Sequence, residues 1–270
     1  MQKTGTILDQ ILERKTLEVK ASKKLRSLSA LKEDLFRRKT SVRNFTQAIS
    51  QPGQVSVIAE IKKASPSAGV ICDDFDPVQI ARAYQNSSRV SAISVLTDKQ
   101  FFQGDLRFIS QVKAVTKVPI FRKDFIIDEY QIYESFLAES DALLLIAAAL
   151  DEEDLRHLLR VSQQLGMAVL VEIHTLPELQ KSVAAGASII GVNARSLHTF
   201  QMNSELFEEL APLIPSGVLK VAESGLETAA DVQRVSRAGA DAVLVGTSIM
   251  KAKNKQQKLA QLLGQERETV

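Results

Sequence analysis

The chain has no tryptophan, one cysteine and only three histidines among 270 residues. A lone Cys72 cannot form an intrachain disulfide, which fits a reducing cytoplasm. His157, His174 and His198 lack metal-ligand spacing and Cys72 has no partner cysteine, so no metal site is expected. No apolar run approaches the ~20 residues that cross a bilayer. The opening MQKTGTILDQILERK has neither the apolar stretch nor the cleavage site of a signal peptide. A G-x-G pair for a dinucleotide and a Walker-type loop are both missing. Ser65 has no evident histidine base, which argues against a nucleophilic triad. The expectation is a cytoplasmic protein without membrane contact.

Overall charge is only +2, but it is unevenly spread. Residues 1–45 hold 12 Lys/Arg against 5 Asp/Glu, a net of +7, and the remaining 22 against 27 give −5. A basic arm raises the question of nucleic acid. Its charges, however, alternate with Ile7, Leu8, Ile11, Leu12, Leu17 and Val19 and lack clustered stacking aromatics. They read as solvated helix faces packed on an acidic body, with no nucleic-acid partner.

What the chain does have is eight short apolar segments, near 55–62, 91–96, 118–122, 141–146, 168–173, 188–193, 218–223 and 242–246. Helical stretches such as PVQIARAYQ and DEEDLRHLLRVSQQL separate them. This alternation predicts βαβ units with right-handed crossovers. Eight units in about 250 residues suit an α/β fold of one closed (β/α)8 TIM barrel, here with an N-terminal helical extension. The extension is expected over residues 1–45, with helices near 6–24 and 28–38, and the barrel over 46–270. Asp151 to Asp154 open a helix after strand four, where acidic residues favour the dipole, and are given no functional part.

Several segments end in side chains that do chemistry. Charge is costly in a buried parallel strand unless a partner or ligand offsets it. Glu60 and Lys62 share one side of strand one, Lys123 follows strand three, and Glu172 closes strand five. Asn193 and Arg195 end strand six, and Glu223 and Ser224 end strand seven. Lysines among glutamates in one mouth meet the needs of acid–base catalysis; the bland alternative is a set of interior ion pairs. His157 lies on a charged helix and reads as solvated. His174 reads as a loop residue, notable only for following Glu172 by two. Phosphate is the second inference: Ser224-Gly225 after strand seven and Gly246-Thr247-Ser248 after strand eight occupy the usual phosphate corner of such barrels. The loop from Ala64 to Gly69 can close over it.

Read together, AEIKKASPS at 59–67, LTDKQFFQGDL at 96–106, FRKDFIIDEYQIYE at 121–134, VEIH at 171–174, GVNARSL at 191–197, AESG at 222–225 and ADAVLVGTSIM at 240–250 resemble the indole-3-glycerol phosphate synthase family. The resemblance covers essentially the whole chain. It implies ring closure of 1-(2-carboxyphenylamino)-1-deoxyribulose 5-phosphate with loss of CO2 and water, using no metal or organic cofactor. Lys123 and Glu172 would form the acid–base pair, and Lys62 would hold the anthranilate carboxylate or itself donate a proton. Glu60 would orient the lysines. Asn193, Arg195, Glu223 and Ser224 would position the sugar chain and leaving hydroxyl, and Phe125 would flank the aromatic ring. Ser65, Gly225, Gly246 and Thr247 would hold phosphate. The extension would cover the catalytic face. Ala68, Ala194, Thr247 and the run Asn44-Phe45-Thr46 depart from the family's usual residues. The implied partner is a small phosphorylated substrate, and the expected assembly a monomer or weak homodimer. Two rivals remain, an aldose–ketose isomerase barrel and a non-catalytic phosphate-ligand binding protein.

Overall fold

The strands are β1 (Ser56–Ile61), β2 (Val90–Leu96), β3 (Ile120–Lys123), β4 (Ala142–Ile146), β5 (Ala168–Ile173), β6 (Ile189–Asn193), β7 (Leu219–Glu223) and β8 (Ala242–Val245). Each is parallel to the next in chain order, and β8 pairs back onto β1, so the sheet closes. At least one helix follows every strand. The molecule is therefore the (β/α)8 barrel that the alternation predicts. The computed structural model describes residues 6–37, 41–87, 89–197 and 199–264. His198, Arg38 and the first five residues of the expected extension lie outside them.

The strands read as near-continuous apolar runs because both faces are covered: all six residues of β1 and all five of β4 are buried. The helices start where short polar side chains accept their free N–H groups. Asp76, Asp128, Thr175 and Thr228 each cap a helix in this way. Asp151 accepts the N–H of Asp154 at 2.9 Å, which accounts for the acidic cluster after β4 without any catalytic part. Inter-strand register sets the height of the reactive residues. Leu96 pairs with Lys123, Ile146 with Glu172, and Asn193 with Glu223, all at the carboxyl ends of their strands.

Two helices precede the barrel where expected, α1 (Ile7–Leu25) and α2 (Leu28–Arg37). Leu8, Ile11 and Leu12 of α1 are buried in the main core. One turn further on, Lys15 is buried with its Nζ 2.9 Å from Asp98 Oδ2 and 2.9 Å from Asp124 Oδ1. Those aspartates lie just beyond β2 and β3, so α1 crosses the carboxyl end of the barrel. Burial opposes the charge on Lys15, but Asp124 and Asp98 outweigh it and raise its pKa. α2 sits at the side, where Leu31 packs with Val19 and Tyr130. The Lys15→Met variant keeps the methylene packing but removes the ammonium shared by two buried carboxylates; Asp124 retains Arg122 at 2.9 Å, whereas Asp98 retains the Phe101 N–H. The variant is expected to lose about 3 kcal/mol or more of stability, read as a lower urea midpoint; an unchanged midpoint would mean the aspartates find other partners.

A third helix, α3 (Phe45–Ile49), occupies a stretch that the sequence reading left without an element. Asn44 caps it by accepting the Gln47 N–H at 2.9 Å. Phe45 stacks on Phe121 with ring centroids 5.5 Å apart, and Ile49 is fully buried, so α3 seals the amino end of the barrel. It straddles the junction expected between residues 45 and 46. The Asn44-Phe45-Thr46 departure thus belongs to the end opposite the mouth.

Candidate active site

The carboxyl ends of the strands enclose a cavity of about 350 Å3. All thirteen residues singled out from the sequence line it: Glu60, Lys62, Ser65, Lys123, Phe125, Glu172, Asn193, Arg195, Glu223, Ser224, Gly225, Gly246 and Thr247. The alternation of side chains along each strand brings them there, since a residue at the end of a barrel strand points either into the mouth or into the helical layer.

Lys123 is the hub. Its ammonium lies 2.9 Å from Glu172 Oε2 and 2.8 Å from Glu223 Oε2, bridging β5 and β7 from β3. Burial opposes that charge, yet Glu172, Glu223 and Glu60 more than compensate and hold Lys123 well above the ordinary lysine range. The two glutamates are driven apart. Burial disfavours the carboxylate at both positions. At Glu172, Lys123 and His174 reverse this and lower its pKa, helped by a hydrogen bond from Asn193. At Glu223, burial prevails over Lys123 and the nearby Glu172 adds to it, so its pKa is raised. One ammonium thus faces one carboxylate and one carboxyl group held toward its neutral form. Environments that split paired acids in this way assign a base and a proton-holding partner.

Lys62 forms a second pair, with its Nζ 2.5 Å from Glu60 Oε1. The Tyr84 hydroxyl holds this end of β1 by donating to the Glu60 carbonyl at 2.9 Å. Asn193 accepts the Arg195 N–H at 3.0 Å, and the Arg195 guanidinium donates to the Phe200 carbonyl at 3.3 Å. Ser224 and Gly225 both lie in the left-handed region, at φ 67° and 69°. For a serine that conformation is uncommon, and such residues concentrate where a turn serves a site.

Gly246 has a role that its sequence position did not suggest. A Cβ there would overlap the Glu60 carboxylate, so the missing side chain makes room for an acidic group of the mouth. The loop from Ala64 to Gly69 is a small hairpin, with Ala64–Ser65 paired to Gly69–Val70 and Ser65 to Ala68 on the cavity rim.

Sequence reasoning missed several lining groups. Phe102 faces Phe125 with centroids 6.1 Å apart, giving the cavity an apolar wall. Lys251 adds a cation beside Thr247 and Ser248. Phe102 lies inside a motif already noted and Lys251 directly after one, but the facing side of a short helix could not be chosen from so few residues. His174 lies in the bend after β5, as read from the sequence, and its side chain is largely enclosed between Glu172 and Glu178. His157 is half exposed on its helix, in keeping with the sequence reading. Among the described residues, no group of three or more His, Cys, Asp or Glu side chains is placed to hold a metal ion, and no helix is long and apolar enough to cross a membrane.

A family model described as indole-3-glycerol phosphate synthase matches residues 8–262. The indole-3-glycerol phosphate synthase of Chlorobium chlorochromatii is 47% identical over 246 residues, covering 90% of this chain and 95% of the relative. That of Desulfotalea psychrophila is 44% identical, covering 95% and 98%. Among solved structures, a 3-hexulose-6-phosphate synthase superposes with TM-score 0.59 at 16% identity, over 79% of this chain and all of that one, a likeness of fold alone.

Proposed function

The chain belongs to the indole-3-glycerol phosphate synthase family, and we propose that Lys123, Glu172, Glu223 and the Lys62–Glu60 pair are the groups with which it closes the indole ring. It is a carbon–carbon lyase of tryptophan biosynthesis, converting 1-(2-carboxyphenylamino)-1-deoxyribulose 5-phosphate to indole-3-glycerol phosphate, CO2 and water. The observation that carries the residue assignment is one ammonium shared between two buried carboxyl groups of opposite tendency.

The reaction makes three demands. As the aromatic carbon attacks the ketone, the carbonyl oxygen needs a proton; Lys123 supplies it. The carboxylate must be held until it leaves as CO2, and Lys62, steadied by Glu60, is the cation for that. The new hydroxyl then departs as water, which needs a proton and a base. Glu172, kept ionised, is the base, and Glu223, kept toward its neutral form, is suited to the hydroxyl. Asn193, Arg195 and Ser224 position the sugar chain, and Phe125 flanks the ring, with Phe102 behind it. Ser65, Gly225, Gly246 and Thr247 hold the phosphate, with Lys251 as a nearby cation.

The rival readings fare less well. An isomerase of the Cys–Asp kind would need Cys72 in the mouth, and it does not line the cavity. A passive binding protein has no use for split carboxyl groups. Residues 1–45 act as an extension serving the mouth through α1, and residues 46–270 as the catalytic barrel. The enzyme works in the cytoplasm, where Cys72 stays reduced, as a monomer or weak homodimer.

Indole fluorescence follows the reaction directly, and the lack of tryptophan gives a low background. Inorganic phosphate is expected to raise the apparent KM without lowering kcat, because it occupies the corner formed after β7 and β8. Non-competitive inhibition would remove those residues from the phosphate site, and no fluorescent product would remove the whole reading.

A further inference from the structure

His174 does not line the cavity, yet it touches the side chain on which the base assignment rests. Its Nε2 lies 3.6 Å from Glu172 Oε1, and its Nδ1 lies 3.5 Å from Glu178 Oε2. The backbone N–H of His174 donates to that same Glu178 oxygen at 2.7 Å, which fixes the ring from behind. The side chain is 9% exposed, and its Nε2 is buried with no hydrogen-bond partner, since 3.6 Å is too long for one. A buried, unpartnered ring nitrogen aimed at a reactive carboxylate calls for an explanation.

The charged groups facing this ring are carboxyl groups: Glu172 from β5, Glu178 from the following helix (Leu176–Ala185), and Glu223 from β7. Lys123 stands on the far side of Glu172. We propose that His174 is a positioning residue: as an imidazolium clamped by Glu178, it keeps Glu172 ionised and oriented when Lys123 gives its proton to the substrate. Glu172 then loses its nearest full charge, and without a second cation a buried carboxylate would tend to take up the proton itself. Burial works against the imidazolium, but Glu178, Glu172 and Glu223 together raise the His174 pKa. The chain Glu178–His174–Glu172 thus supplies positive charge to the base from outside the cavity, leaving the mouth free for substrate.

This inference rests on the reading of Glu172 as the base, and the experiment separates the two. The pH dependence of kcat and KM would be measured for the full chain and for His174→Gln, His174→Asn and Glu172→Gln. His174→Gln keeps a hydrogen-bonding group but never a charge. Its acid limb of kcat is expected to move up by about one pH unit, the scale of losing an opposite charge at this distance, with KM little changed. His174→Asn should shift the same limb in the same direction, and it decides the matter if His174→Gln does not fold. An acid limb that stays in place, or moves down, in the folded variants would overturn the positioning role, even if kcat falls. An active Glu172→Gln enzyme would overturn the base assignment, and this inference with it.

Discussion

Replacing Lys123 with alanine is expected to lower turnover at least ~100-fold, the usual scale for losing a positioned acid, with substrate affinity nearly unchanged. The size of the effect follows from what the ammonium separates. Glu172 and Glu223 both reach it, at 2.9 and 2.8 Å, from the two strands that flank β6. Without it two buried carboxyl groups face each other, and like charges so placed cannot both ionise. The variant therefore loses its proton donor and also drives its base toward the neutral form. Lys123→Arg provides the control. It restores the charge between the glutamates but holds its proton too tightly to give it up, so it should fold at least as stably as the alanine variant and remain inactive. Single-turnover indole fluorescence would read the chemical step, and substrate titration of the inactive variants would read binding. Wild-type-like turnover in either variant would remove Lys123 from the proton transfers.

Gly246→Ala is expected to be nearly as damaging, and its effect should fall on kcat. The added Cβ would overlap the Glu60 carboxylate, which has Lys62 2.5 Å on its other side. The backbone at 246 starts the short helix Thr247–Lys251, where Ile249 and Met250 are buried, so the strand end is not free to retreat. Glu60 has to move, and Lys62 with it. A displacement of about 1 Å at a reacting group can cost on the order of 100-fold in rate. Were Gly246 needed only for backbone approach to phosphate, the same substitution would raise KM and spare kcat. The ratio of the two effects distinguishes these roles.

The barrel was legible in the sequence because burial on both faces forces a distinct apolar run for every strand, and β1 through β8 fall within two residues of where those runs lie. The mouth was legible for a related reason: Glu60, Glu172 and Glu223 are charges no buried strand would carry without a partner. The partners themselves were hidden. Nothing in the spacing of Lys123, Glu172 and Glu223 indicates that one ammonium serves both acids, because register across three strands decides it. α3 was missed because five residues show no period, although the Asn44 cap was a readable signal. Phosphate binding was inferred for Gly246 from its place after a strand, whereas its close contact is with a side chain 186 positions earlier in the chain. His174 was passed over because its partner Glu178 becomes a neighbour only once the helix after β5 has formed.

The ion pairs of the mouth also bear on how the enzyme comes into being. Lys123 is 49 residues from one carboxyl partner and 100 from the other, and Lys15 reaches across 83 residues to Asp98 and 109 to Asp124. No single βα unit, and no half of the chain folded alone, holds all these groups. Contacts so distant in sequence form late, after the loop-closure entropy has been overcome. A partly zipped barrel would leave Glu172 and Glu223 without their shared cation, which makes it both inert and less stable than the closed form. Catalytic competence is thus tied to the final act of folding, when the last strands dock and α1 settles over the rim.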